Sequence, residues 1–141
     1  MITIITTARG WIGTPYLHQA SLKGIGCDCL GLIRGVWRET HGHEPESAPP
    51  YSPDWAEADD TEFLADAARR HLIEVPYTEF IAGDVLLFRW RDYLPAKHAG
   101  IASSPTSMIH AQDGACVSEI TLSKWWLARL AFAFRFPGVG A

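Results

Sequence analysis

Partway along this chain the apolar residues change their repeat, and that change limits the folds open to it. Up to about Leu72 they recur every three or four positions. Ile4, Ile5, Ala8, Trp11 and Ile12 predict a helix over Ile2–Trp11, ended by "GTPY" at 13–16. Cys29, Leu32, Ile33, Val36 and Trp37 predict a second helix over Cys29–Thr40, with one buried stripe and Gly42 as its stop. Phe63, Leu64, Ala67, Ala68 and His71 predict a third, from near Asp60 to Leu72, closed off by Pro76. Beyond that point the runs are short. "DVLLFRW" (84–90), "HAGIAS" (98–103), "SMIHAQ" (107–112) and "ACVSEITL" (115–122) read as strands, separated by turns at Ser104-Pro105 and Asp113-Gly114. "SKWWLARL" reads as a short helical crossing with Ser123 as N-cap, and "LAFAFRF" (130–136) as a last strand. Helices first and an antiparallel meander after them predict an α+β fold, with helices packed on one face of a sheet.

The 141 residues suffice for one core. The proline-rich "HGHEPESAPPYSPDW" (41–55) reads as an extended surface connection, because neither side of it can fold alone, so residues 1–141 are expected to form a single domain. A net charge of −4 and only short charge clusters argue against a nucleic-acid partner. No segment reaches transmembrane length, and "MITIITTARGWIGTPY" lacks the basic and apolar parts of a secretory signal. The expectation is synthesis in the cytoplasm and no membrane insertion. Cys27, Cys29 and Cys116 do not make a disulfide framework. The C-x-C spacing, with no second pair downstream, fits structural zinc poorly. Neither a metal nor a cofactor is expected.

Cys29 stands at the predicted start of a helix, where free N–H groups and the dipole favour a thiolate. Cys27, in the preceding loop, lacks that field. As a nucleophile Cys29 needs a base, and the base needs an orienting partner. His41 and His43 lie a helix length away, and His71 reads as an interface residue of the third helix. His98 and His110 head consecutive predicted strands, and adjacent antiparallel strands can set two side chains together on one face. Position alone leaves Cys29 equally readable as a small buried hydrophobe. The six tryptophans are core fillers in the first place, but Trp11, Trp37, Trp90, Trp125 and Trp126 are also able to floor a cleft.

These residues carry a resemblance. "CDCLGLI" resembles the D-C-S-G-L segment of the NlpC-type cell-wall peptidases, a papain-like cysteine peptidase family. "GDVLLFRW", "HAGIAS" and "SMIHAQDGACVSEI" are similar to that family's following strands, and "GWIGTPY" to its upstream tyrosine segment. Five pieces stand in the family's order across roughly residues 8–135, with 69 residues from Cys29 to His98 and 12 more to His110. "WIGTPYLHQASLKGIGCDCLGL" further resembles the phage-tail and gene-transfer-agent branch. The resemblance implies a papain-like sheet of five to six strands, with Cys29 as nucleophile, His98 as base and His110 orienting it. It also implies Asp28 and Tyr16 on the substrate side, Tyr16 as an oxyanion donor beside the Cys29 N–H, and a peptidoglycan stem peptide as substrate. Phage-like tail proteins are the implied partners, and a particle tail acting at the cell wall is the implied location. A tail component with an unused site, or an amidase or acyltransferase with the same three residues, would share the pattern. Two departures concern substrate contacts: Leu30 replaces a serine, and "HQASLKG" replaces a glycine pair. His18 and Lys23 in that loop read as exposed.

Overall fold

The structure, a computed structural model, describes residues 3–43 and 62–138. Most of the proline-rich connection and the expected start of the third helix at Asp60 lie outside the described residues.

Helix α1 (Ile4–Arg9) opens on Thr3, whose hydroxyl accepts the Thr6 N–H at 3.1 Å. It is shorter than its apolar pattern. The chain turns at Gly10, leaving Trp11 beyond the helix and buried, and Ile12 half-exposed. A hairpin of β1 (Ser21–Leu22) and β2 (Gly26–Cys27) follows, where the sequence reads as loop. Strands of two residues carry no readable alternation. Helix α2 (Cys29–His41) ends on Gly42 at φ 82°, whose N–H reaches the Arg38 carbonyl at 2.8 Å. Helix α3 (Phe63–His71) is followed at once by β3 (Ile73–Val75), an edge strand the apolar pattern misses because two of its three residues face solvent. Then come β4 (Val85–Phe88), β5 (His98–Ser104), β6 (Ser107–His110), β7 (Ser118–Thr121), α4 (Lys124–Leu127) and β8 (Leu130–Arg135). Ser123 holds the N-cap position of α4 without a side-chain capping bond.

The six strands pair antiparallel in the order β3-β8-β4-β5-β6-β7. The fold is α+β, as the change of repeat predicts. Both faces of the central strands are buried. Val85, Leu87, Ala99, Ile101 and Ile109 pack with α1, α2 and α3. Leu86, Phe88, Ala102 and Met108 pack with Trp126 of α4 on the opposite face. Three helices therefore cover one face, while the short α4 covers part of the other. That explains why β5 is apolar almost throughout, where a one-sided strand would alternate. Each edge strand carries a glutamate tied to a helix arginine: Glu74 of β3 to Arg69 at 2.8 Å, and Glu119 of β7 to Arg9 at 3.0 Å.

Two glycines let other elements press on α2. A Cβ at Gly31 would lie 1.8 Å from the Ala20 carbonyl oxygen, and one at Gly35 would lie 2.1 Å from the Trp11 ring. The start of α2 is thus seated against the β1–β2 region by backbone contact.

Candidate active site

Asp28 is the N-cap of α2. Its Oδ1 accepts the Gly31 N–H at 2.7 Å, and its Oδ2 accepts the Gln19 N–H at 2.8 Å. The second bond holds Gln19 at φ 66°, a left-handed conformation that non-glycine residues adopt at a cost. Asp28 is buried, and it still borders the cavity into which Cys29 opens. It therefore has a structural task, fixing the loop and helix that carry Cys29, which the motif did not announce.

Cys29 is the first residue of α2 and is partly buried. Its Sγ–H points toward the Lys97 carbonyl at 3.9 Å, one residue before His98. The expectation that the helix start depresses its pKa is overturned. Burial, then the Asp28 charge, push it up to about 12, against smaller opposing effects of the backbone N–H groups of Ala99, Leu30 and Cys29. The thiol is neutral in the resting site. Cys27 is fully buried in β2, and burial pushes it up to about 12 as well.

His98 Nε2 and His110 Nδ1 are 2.8 Å apart, and both rings are buried. The register explains the meeting. Gly100 stands opposite His110, so His98 is the diagonal neighbour two residues along, on the same face. Gly100 keeps that space clear, since a Cβ there would lie 3.3 Å from the His110 Cβ. His98 also stands opposite Phe88, which puts both histidines on the α4 face. The two histidines therefore share one face, as their adjacency on neighbouring strands predicts, and that face is the one turned away from α2. Cys29 comes from the α2 face, His98 from the α4 face, and they open on one cavity where β5 begins. Trp90 stacks on His98 at 5.6 Å and 25°, and Trp126 meets His98 at 5.5 Å and His110 at 5.3 Å.

Burial, then the neighbouring His110, lowers His98 to about 3, and burial lowers His110 to about 4. The unfolded chain takes up protons on these imidazoles as the pH falls below 6.5, well before the folded chain does. The stability they contribute is complete above 6.5 and is lost as the pH falls toward about 3. Calorimetry should find the melting midpoint at least about 5 °C lower at pH 4 than at pH 7. A flat profile over that range overturns the neutral assignment.

The cavity measures about 260 Å³ and is bordered by Tyr16, His18, Asp28, Cys29, Trp90, Lys97, His98, Gln112 and Asp113, with Leu30 and Ala111. It holds about one side chain, so a longer ligand must extend beyond it. Tyr16 is partly buried, and its hydroxyl is held protonated, chiefly by burial and then by Cys29 and Asp28. His18 belongs to the site, with Nδ1 at 4.0 Å from Asp28 Oδ2. Lys23 instead pairs with Glu39 at 2.9 Å. Trp11 and Trp37 are core residues; of the other expected cleft tryptophans, Trp90 and Trp126 meet the His98 ring and Trp125 packs on those two. His41, at the far end of α2, stacks on Trp37 at 4.1 Å. Lys97, Gln112 and Asp113 were not singled out by sequence. Their only signal is adjacency to His98 and His110.

Known proteins share the fold that carries this site. The solved structure of an NLP/P60 family protein similar to a lipoprotein, from Staphylococcus aureus, superposes with a TM-score of 0.64 at 22% identity, covering 94% of this chain and 40% of that one. The NlpC/p60 domain of the peptidoglycan hydrolase SagA matches with 0.63 at 23% identity, covering 95% and 97%. The peptidoglycan hydrolase RipB of Mycobacterium tuberculosis matches with 0.60 at 20% identity, covering 94% and 62%. This chain thus spans about two fifths of the staphylococcal protein and nearly all of the SagA domain. No curated protein matches it in sequence. At these identities the structures establish a shared fold. The model of the NlpC/P60 family matches residues 13–135, most of the chain, and on that match the chain belongs to the NlpC/P60 family.

Proposed function

We propose that this chain is a cysteine endopeptidase that hydrolyses an amide bond in the stem peptide of peptidoglycan, the γ-D-glutamyl–diamino acid bond. The observation that carries the reading is the 2.8 Å contact between His98 Nε2 and His110 Nδ1 beside a cavity that also receives Cys29. With a proton on His98 Nε2 donated to His110 Nδ1, the other nitrogen of His98 is free of hydrogen and able to take one from the thiol. The Cys29 sulfur attacks the carbonyl carbon as its proton passes to His98. The oxyanion is held by the Cys29 backbone N–H and the Tyr16 hydroxyl. His98 then protonates the leaving amine, the C–N bond breaks, and a thioester remains. Water, deprotonated by His98, releases the acid and restores the thiol. Asp28 and His18 face the acyl half of the substrate.

Membership of the NlpC/P60 family, and the fold shared with the peptidoglycan hydrolases SagA and RipB, support this substrate class. The motif resemblance in "WIGTPYLHQASLKGIGCDCLGL" supports work in the tail of a phage or phage-like particle, with tail proteins as partners and the cell wall as the place of action. Residues 1–141 act in this reading as one peptidase domain. Digestion of purified cell wall, read by mass spectrometry, should release fragments with a new amino terminus on the diamino acid. Fragments cut only in the glycan, or none from folded protein, overturn the proposal. Transfer of the acyl group to an added amine in place of water identifies an acyltransferase.

His110→Ala should lower kcat by roughly a hundredfold or more, whereas His110→Asn, which keeps an acceptor for His98, should stay within about tenfold of wild type. Equal losses in the two variants would remove His110 from the orienting role.

A further inference from the structure

A peptidase imidazole hands its proton to the departing amine, so the leaving half of the substrate lies on the imidazole's side of the scissile carbonyl. Here that side is the α4 face, and it is aromatic. Trp90 stacks on His98 and borders the cavity. Trp125 follows at 5.9 Å from Trp90 and is 49% exposed. Trp126, packed against both rings and 8% exposed, fixes the row from below. At the outer end the guanidinium carbon of Arg129 lies 3.8 Å from the centroid of Trp125, and one N–H is held by the Trp125 carbonyl at 2.9 Å. A guanidinium stacked on a ring keeps N–H groups at its edge, where a carboxylate can accept two of them side by side. The cavity is also bordered by Tyr16, Asp28 and Asp113, which lie close enough for both carboxylates to act on the Tyr16 hydroxyl, and by His18 at 4.0 Å from Asp28. The cleft is therefore polar toward the acyl half and aromatic-cationic toward the leaving half.

We propose that Trp90, Trp125 and Arg129 form the subsite for the leaving group, and that it selects an amine whose aliphatic chain lies along the tryptophans and whose free carboxylate meets Arg129. The reading rests on the peptidase function above and specifies its leaving group. A carboxamide at the same place keeps the chain contact and loses the charged pair.

The test is a pair of peptides with one acyl half and one diamino acid leaving residue, ending in a free acid or in its primary amide. Wild type should cleave the acid with a kcat/KM at least about tenfold higher. Arg129→Gln should bring that ratio below about threefold, with Arg129→Lys between the two. Because the ratio is taken within each variant, partial unfolding does not alter it. Trp125→Ala should raise KM for both peptides more than it lowers kcat. Equal cleavage of the two peptides by wild type overturns the subsite alone. A preference that survives Arg129→Gln assigns it elsewhere, to Lys97 first, and overturns the role of Arg129. A wild-type protein that cleaves neither peptide overturns the peptidase reading and this subsite with it.

Discussion

Cys29→Ala is expected to lower turnover of defined muropeptides by about 10⁴-fold or more, since among the described residues lining the cavity no other can form the proposed thioester. Cys27→Ala should stay within about tenfold of wild type while losing about 1 kcal/mol of stability. The contrast follows from placement. Cys27 is fully buried in β2, whereas Cys29, two residues on, opens into the cavity. Its side chain belongs to the helix-side core that also holds Trp11, Leu32 and Val36. Both variants should keep the wild-type circular dichroism spectrum. Loss of cleavage in the Cys27 variant with activity retained in Cys29→Ala would sink the assignment of the nucleophile.

Gly31→Ala is expected to cost about 3 kcal/mol or more in chemical denaturation, and folded protein should lose about a hundredfold in kcat. Helix propensity alone predicts the reverse, a gain of about 1 kcal/mol from replacing glycine by alanine. The close approach decides the sign. The new Cβ would fall 1.8 Å from Ala20 O and 2.9 Å from Ala20 C, both backbone atoms with no rotamer to yield. Relief requires moving either α2 or the segment around Ala20. Either movement disturbs the Asp28 bonds to Gly31 and Gln19 and the Ser21 Oγ–H bond to the Gly31 carbonyl at 2.6 Å. Cys29 sits two residues away on the same turn. A cost under about 1 kcal/mol would mean that this seat is not rigid.

Helix α2, strands β4 to β6 and the α+β class were legible because their periods are long enough to count and their turns carry glycine or proline. The pairing of His98 with His110 was legible as adjacency on neighbouring strands. Its position on the α4 face was not, because that parity depends on which residue of β5 faces Phe88. The titration of Cys29 was misread for a related reason. Sequence shows the helix start, which lowers a thiol pKa, but not the burial that outweighs it. The hairpin of β1 and β2 is fixed by long-range bonds, Cys27 N–H to Pro15 O at 3.0 Å among them, and leaves no periodic trace. Lys97 and Asp113 reach the cavity from loops, where neither pattern nor propensity says which way a side chain faces.

The two glutamate–arginine ties at the ends of the sheet bear on how copies of this chain behave when crowded. An open six-stranded sheet presents two rows of unpaired backbone groups, each a template for a strand from another molecule. Here those rows are only three and four residues long, and each displays a carboxylate already clamped by a helix. A visiting strand would have to desolvate that ion pair to extend the ladder. Such rims discourage edge-to-edge pairing of copies, so that crowding is not expected to extend the sheet from one molecule to the next.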